Sequence, residues 1–319
     1  MANVLITGCA GFIGSHLTRS LLEEGHTVIG IDNFDSFYPR EVKEKNMMPF
    51  KDNPAFIFLE KDITEGLTDI PNTDIDIIVH LAAKAGVRPS IRNPNDYIKT
   101  NITGTQKIHE FIRDRGIKKF IFASSSSVYG NTTIIPFNEN DPVNKPISPY
   151  AYSKKAGEEM NYTLHHLYKV DVINLRFFTV YGPGQRPDLA IHKFIEQVYN
   201  NEPLSIFGTG DTARDYTFID DIIIGIKSAI QYCLAGNNIY EIINLGNNKP
   251  VKLNDLTEII YRLLKKEKQV IYTSIQPGDV DSTYADITKA GKLLRYFPKT
   301  DIESGVQQFI KWYLAQRPR

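Results

Sequence analysis

Cysteine is scarce in this chain, with two, Cys9 and Cys233, among 319 residues. Two thiols cannot build a disulfide framework and neither sits at a metal-ligand spacing, so a stapled secreted scaffold and a cysteine-based metal centre are both excluded. Charge of one sign is also missing: Lys plus Arg and Asp plus Glu stand at 37 each, which leaves no electrostatic footprint for nucleic acid or an anionic membrane. No apolar run approaches the ~20 residues that cross a bilayer, and no basic segment followed by a short apolar stretch and a cleavage site precedes Val4. A soluble cytoplasmic protein in a reducing compartment, with no metal, is the expectation. The length is large for one compact core and small for three, which predicts one large domain or two interlocked ones. There is no internal repeat or low-complexity tract.

What is present begins at once. Asn3 to Thr7 reads as a short buried strand, followed by Gly8-Cys9-Ala10-Gly11-Phe12-Ile13-Gly14 and a helical pattern from Ser15 to Glu24. Strand, glycine turn and helix in that order form a dinucleotide-binding unit: Gly8 permits the tight turn, Gly11 lets backbone approach a pyrophosphate, Gly14 lets helix and strand pack closely, and the helix N-terminus attracts the negative charge. Phe12 and Ile13 complete this turn. A second strand, Thr27 to Ile31, ends in Asp32, eighteen residues after Gly14, close to the ~20 expected for a carboxylate that binds the adenosine ribose. An acid there repels a 2′-phosphate, so the cofactor should be NAD, with Asn33 beside it. The stretch Phe34 to Met48 is a loop or short helix near the adenosine.

Further strands are read at Phe56 to Glu60, with Asp62 and Ile63 at its carboxyl end, and at Ile75 to Leu81, opening into Ala82-Ala83-Lys84-Ala85-Gly86-Val87-Arg88. In an open parallel sheet such ends line the ligand crevice. Leu81, Ala82 and Ala83 either let backbone reach the cofactor or simply pack closely; Arg88 either pairs with an anionic substrate group or is a solvated charge. Tyr97 to Arg113 is helical in period and carries Asn101 near its start, a further cofactor candidate. Lys119 to Ala123 is a fifth strand ending in Ser124-Ser125-Ser126-Ser127, which puts hydroxyls into the same crevice. Ser148-Pro149 then opens a helix, Ser as N-cap and Pro at the first position. That helix sets Tyr150 and Lys154 one turn apart on one face. An ordinary phenol titrates near ~10, and a neighbouring ammonium favours its ionised form.

After a sixth strand, Val172 to Phe178, Pro and Gly cluster in residues 181–187, the crossing into a smaller lobe. Glu241 to Leu245 reads as a strand returning to the sheet, so the lobes interleave: 1–178 with a return near 220–246, and 179–219 with 247–319. Leu253 to Lys265, Ile287 to Leu294 and Ile302 to Tyr313 are helical in spacing. The fold class is therefore α/β, a Rossmann-type doubly wound parallel sheet with a smaller, interleaved C-terminal substrate lobe.

The Gly8, Gly11, Gly14 turn, the segment from Ser125 to Tyr129, Tyr150 with Lys154, and Arg214-Asp215-Tyr216 together resemble the extended short-chain dehydrogenase/reductases of the nucleotide-sugar epimerase type, over essentially the whole chain. The resemblance implies Ser125, Tyr150 and Lys154 as catalytic residues, with Tyr150 and Lys154 also touching NAD, and a small lobe that grips a UDP- or TDP-sugar. It also implies a homodimer. Relatives that eliminate water or decarboxylate carry acids at the positions of Ser126 and Ser127, and this chain does not. Ala85 to Arg88 and Arg176 to Pro183, with Arg186-Pro187-Asp188, resemble the UDP-glucuronate 4-epimerases, as does Gln276-Pro277-Gly278-Asp279. From these, Arg88, Ser126, Ser127, Thr179, Arg186, Arg214 and Asp279 are expected at the substrate, Thr179 and Arg186 near a sugar carboxylate and Arg214 at the pyrophosphate. Lys84 and Gly184 depart from that group's pattern. The implied reaction is C4 epimerisation of UDP-glucuronate to UDP-galacturonate through a transient 4-keto sugar. The alternatives are epimerisation of UDP-glucose or UDP-N-acetylglucosamine, a reductase or dehydratase on the same scaffold, or a nucleotide sensor that keeps the fold.

Overall fold

The computed structural model describes residues 1–67, 70, 74–132, 134–274 and 282–317. The chain opens as β1 (Asn3–Thr7), α1 (Phe12–Glu23), β2 (Thr27–Asp32), α2 (Arg40–Met47), β3 (Phe56–Glu60), β4 (Ile77–His80), α3 (Val87–Arg92), α4 (Pro94–Tyr97) and α5 (Gly104–Arg115). Between α4 and α5 the helix continues as a π-helical stretch, Ile98–Thr103, which carries Asn101. The chain proceeds through β5 (Lys119–Ser125), α6 (Pro149–Tyr168), β6 (Asp171–Phe177), β7 (Thr179–Tyr181), α7 (Ala190–Tyr199), β8 (Leu204–Phe207), β9 (Ala213–Phe218) and α8 (Ile219–Ala235). It ends with β10 (Tyr240–Leu245), β11 (Pro250–Lys252), α9 (Leu253–Leu264), β12 (Val270–Thr273), α10 (Thr288–Leu294) and α11 (Ile302–Ala315).

Seven parallel strands form one sheet in the order β10-β6-β5-β4-β1-β2-β3. The inner strands are apolar throughout, Val4-Leu5-Ile6 and Ile77-Ile78-Val79 among them, because helices cover both faces. One face packs Val4, Ile6, Val28 and Ile121 against Leu17, Ile222 and Ile226. The other packs Leu5, Ile29, Ile78 and Phe120 against Ile108, Ile112 and Leu164. The strand order reverses between β1 and β4, so the crevice at their carboxyl ends is where a ligand belongs in this topology.

Two small sheets, β11-β9-β7 and β12-β8, stand beside the large one. β10, which begins 59 positions after β7 ends, pairs in parallel with β6 as an edge of the large sheet. Asp215 in β9 is fully buried, and its carboxylate accepts the N–H groups of Asn247 at 2.6 Å, Asn248 at 3.0 Å and Ala285 at 3.1 Å. It thereby ties three separate segments of the chain together.

Candidate active site

α1 begins where the glycine turn ends, and the turn admits no larger residues. A Cβ on Gly14 would stand 2.0 Å from the Gly8 carbonyl oxygen, and one on Gly8 would stand 2.8 Å from the Ala82 nitrogen. Gly8 also holds φ at +77°, where only glycine is unstrained. Beside this turn opens a cavity of about 370 Å³, lined by the turn, the ends of β2, β4 and β5, Tyr150 and Lys154, and by Thr179 and Arg186.

At the β2 end, Asp32 is buried. Its Oδ1 accepts the Phe34 N–H at 2.9 Å and its Oδ2 the Ala10 N–H at 3.2 Å. Lys43, on α2, lies 3.4 Å from the same carboxylate and is also buried. Asp62 accepts from the Thr64 N–H at 2.8 Å and from Asn33 Nδ2 at 2.9 Å. Burial opposes its charge, but those hydrogen bonds outweigh it and hold the carboxyl below its ordinary range.

At the other end, Ser148 caps α6 by accepting the Ala151 N–H at 3.1 Å, with Pro149 in the first turn. Tyr150 is therefore fixed within the first turn of a 20-residue helix. Tyr97 packs edge-on against its ring at 6.2 Å and donates its own hydroxyl to the Ala85 carbonyl at 3.0 Å. Burial raises the Tyr150 pKa, while a hydrogen bond with the Ser125 hydroxyl and the charge of Arg186 pull against that rise. Lys154 lies one turn further along the same helix. Its Nζ donates to the Ala123 carbonyl at 2.7 Å, over the Phe122 ring at 5.1 Å. Burial pushes its pKa down to about 7. The charge that opposes the rise at Tyr150 is that of Arg186, while Lys154 is engaged by the Ala123 carbonyl.

Arg186 lies on the cavity wall and is also paired. Its Nε and Nη2 bind both oxygens of Asp188, at 2.9 and 2.7 Å, and its guanidinium lies over Phe37 at 4.8 Å. The loop that carries it is fixed by His16, whose ring nitrogen lies 2.9 Å from the Pro183 carbonyl. Gly184, at φ +78°, sits in that loop close to His16 and Asn46.

The cavity wall includes Gly8, Gly11, Phe12, Ile13, Gly14, Asp32, Asn33, Asp62, Ile63, Leu81, Ala82, Ala83, Ser125, Tyr150, Lys154, Thr179 and Arg186. It does not include Asn101, Arg88, Ser126, Ser127 or Arg214. Asn101 spends its amide on the Lys84 backbone, accepting its N–H at 2.8 Å and donating to its carbonyl at 2.9 Å, and on Ser153 at 2.9 Å. Its place is behind the wall, where it fixes the loop after β4. Arg88 stacks over Phe207 at 4.6 Å. Arg214 in β9 donates to the Ala213 carbonyl at 2.9 Å. Ser126 and Ser127 lie in a 3-10 turn, Ser126–Tyr129, capped by Ser125. The Ser127 hydroxyl is buried there with no partner among the described residues. Asp279, with the segment around it, lies outside the described residues.

Several wall residues carried no motif. Phe37, Tyr38 and Lys43 come from the stretch that reads only as loop or short helix, and Lys84 from the end of β4. No group of three or more potential metal-ligating side chains occurs among the described residues.

A glycine cradle closed to any side chain, an acid at the end of β2 and a polar, partly buried tyrosine across the same cavity together suit a bound nicotinamide dinucleotide. The model of the NAD dependent epimerase/dehydratase family matches residues 4–246. This chain belongs to that family. Across its length the epimerase-family chain is 43% identical, over 98% of itself and 96% of the relative, to a UDP-glucuronate 4-epimerase of Thermodesulfobacterium geofontis. It superposes with a TM-score of 0.90 on the UDP-glucuronic acid 4-epimerase of Bacillus cereus, solved with UDP-glucuronic acid and NAD, at 36% identity over 99% of this chain and 100% of that one. A UDP-glucose 4-epimerase of Thermotoga maritima, solved with UDP-glucose, superposes at 0.88 with 31% identity, over 98% and 99% of the two chains. NAD is the cofactor, and the residues of the glycine turn, Asp32, Asn33 and Asp62 suit it.

Proposed function

We propose that this NAD-dependent UDP-sugar 4-epimerase interconverts UDP-glucuronate and UDP-galacturonate. The observation that carries the choice of sugar is Arg186 on the cavity wall, its charge felt by Tyr150, with the Thr179 hydroxyl in the same wall. Asp188 occupies the Nε–Nη2 edge of the guanidinium. The edge formed by the two terminal nitrogens is left for a carboxylate, the geometry arginine favours. Ser127, with its unsatisfied hydroxyl, and Asp279, Arg88 and Arg214 are assigned to the nucleotide sugar on the strength of the family pattern.

NAD, when bound, supplies a hydride acceptor that returns the same hydride in the second half of the cycle. Tyr150 Oη removes the proton of the sugar C4 hydroxyl as the C–H bond at C4 breaks, and gives a proton back when the 4-keto group is reduced on its other face. The Ser125 hydroxyl holds the C4 oxygen and stabilises the phenolate by hydrogen bonding. Lys154, freed from the Ala123 carbonyl, would hold the nicotinamide ribose. With a C6 carboxylate the keto sugar is a β-keto acid, prone to lose CO2, and Arg186 with Thr179 fixes that carboxylate away from the alignment the loss requires. No acid stands at Ser126 or Ser127 to assist elimination.

We further assign a homodimer, supported by exposed apolar side chains on α6, Tyr162, Leu167 and Tyr168, and to be checked by light scattering. A reducing cytoplasm suits two buried free thiols. Residues 1–178 and 220–246 are taken as the cofactor lobe, and 179–219 with 247–319 as the substrate lobe. Proton NMR time courses with UDP-glucuronate, UDP-glucose and UDP-N-acetylglucosamine should show the galacturonate anomeric signal growing to equilibrium, with the neutral sugars at least a hundredfold slower. Comparable rates for all three would transfer the assignment to a neutral hexose.

A further inference from the structure

Lys84 and Asp35 form an ion pair that the chemistry above does not use. Lys84 Nζ lies 2.9 Å from Asp35 Oδ1, with the two side chains only 18% and 32% exposed. The same carboxylate oxygen accepts the Phe37 N–H at 2.9 Å. The Phe37 ring also lies near two cations from two other loops, 5.7 Å from Lys84 and 4.8 Å from Arg186. Both cations lie within the range where a ring face attracts positive charge.

The position of this cluster gives it a meaning. Asp35 follows the end of β2 and Lys84 follows the end of β4, and β1 lies between those two strands in the sheet. Neighbouring strands stand ~4.8 Å apart, so the pair bridges roughly 10 Å across the carboxyl end of β1, where the glycine turn sits. Asp35, Phe37, Lys84 and Arg186 all line the cavity. The anchors are firm: Asn101 holds the Lys84 backbone from both sides, and His16 holds the loop bearing Arg186.

We propose that Asp35 and Lys84, with Phe37 clasped by Arg186, form a strap across the cofactor groove that retains the dinucleotide through turnover. The proposal rests on NAD occupying that groove. A redox-neutral epimerisation ends with the cofactor in its starting state, so nothing requires it to leave. Escape of the reduced form in mid-cycle would strand a keto sugar in the pocket. A strap built from side chains on the loops that flank the glycine turn opposes that loss without obstructing the sugar end, where Tyr150 and Ser125 lie.

The test follows bound NAD directly. NAD-loaded wild-type protein is passed through a desalting column and dialysed, and retained NAD is released with acid and quantified over time; circular dichroism and thermal melts accompany every variant. Lys84→Met and Asp35→Asn should each release NAD at least tenfold faster than wild type, and Phe37→Ala faster than wild type as well. Turnover of these variants should become dependent on added NAD. The charge-exchanged double variant, Asp35→Lys with Lys84→Asp, should regain retention relative to either single change. Should Phe37→Ala fold poorly, Phe37→Leu tests the ring alone. Retention equal to wild type in both Lys84→Met and Asp35→Asn overturns the strap, as does loss in both with no recovery in the exchanged pair. Wild-type protein that takes up no NAD would instead fail the cofactor reading itself, and the strap with it.

Discussion

At Tyr150 two opposed effects meet: burial raises its pKa, and the Ser125 hydroxyl and Arg186 lower it. Replacement by phenylalanine keeps the ring and its edge contact with Tyr97 but deletes the proton acceptor; turnover should fall by at least ~10³-fold, a loss at the scale of general-base catalysis, while NAD retention and the melting temperature stay near wild type. Arg186→Ala should raise KM for UDP-glucuronate far more than for UDP-glucose, and equal effects on both would remove the carboxylate assignment. Lys154 gives a pH signature. Its folded-state pKa is about 7, against 10.5 for an exposed lysine. The unfolded chain therefore binds more protons between these values, and Lys154 makes ligand-free stability rise with pH across that window. Lys154→Met removes this term, so its melting temperature should exceed wild type near pH 7 by a margin that narrows towards pH 10; a constant difference would show the amine to be no less basic than usual. The spacing of Tyr150 and Lys154 was legible because a helix with a Ser-Pro start dictates it. The charge of Arg186 near the phenol was not, because it comes from a loop 36 positions further along the chain.

Elements buried on both faces announce themselves, and those in the small lobe do not. β1 and β5 are runs of apolar residues closed by turn signals, and their starts coincide with the sequence reading. The residues of α8, apolar nearly all round as Ile222-Ile223-Ile224-Gly225-Ile226, give no clean 3.6-residue contrast, since the helix packs on both α1 and the sheet. α7 did carry a usable stripe, Ile191, Phe194, Ile195 and Val198, which the weakened alternation around it obscured. β7, β11 and β12 are only three or four residues long, too short for a period of two to register. The π-helical turn at Asn101 hides within a helical spacing that is otherwise regular. Element packing also sets two stability expectations. Gly14→Ala drives a methyl to 2.0 Å from the Gly8 oxygen, so α1 must shift off β1, and soluble protein should show an NAD affinity at least tenfold weaker by titration. Between α6 and β6, Glu158 and Arg176 form a bidentate pair at 2.8 and 2.9 Å, each 1% exposed, with Ser124 donating to the same carboxylate at 2.6 Å. Arg176→Met strands the buried acid and should cost about 3–5 kcal/mol by urea denaturation; Glu158→Leu added to it should recover part of the loss, and a double variant no better than the single would mean the pair is not the cause.

The whole molecule is interleaved: the chain leaves the large sheet after β6, returns to pack α8 and β10 on it, and leaves again for β11. One apolar cluster follows the same path, running from Val4, Ile6 and Leu17 through Phe218 and Ile222 to Leu256, Ile260 and Phe309. Lobes that share a core and exchange strands cannot unfold separately without exposing it, so unfolding should be a single cooperative step. Asp215 is the place to test this, since its one carboxylate holds β9 to the loop after β10 and to Ala285. Asp215→Asn keeps the shape but turns one acceptor oxygen into a donor that faces N–H groups, and each charged hydrogen bond lost in a buried site is worth ~1.5–3 kcal/mol. Burial holds this carboxyl above its ordinary pKa, so the charge itself is costly there, and the hydrogen bonds recover only part of that cost. The net expectation is a loss of about 2–4 kcal/mol. It should appear in calorimetry as one transition displaced to lower temperature, with far-UV and tyrosine signals still coincident. A split into two transitions, the lower one absent in wild type, would show that the lobes fold independently and that the shared core contributes less than its extent implies.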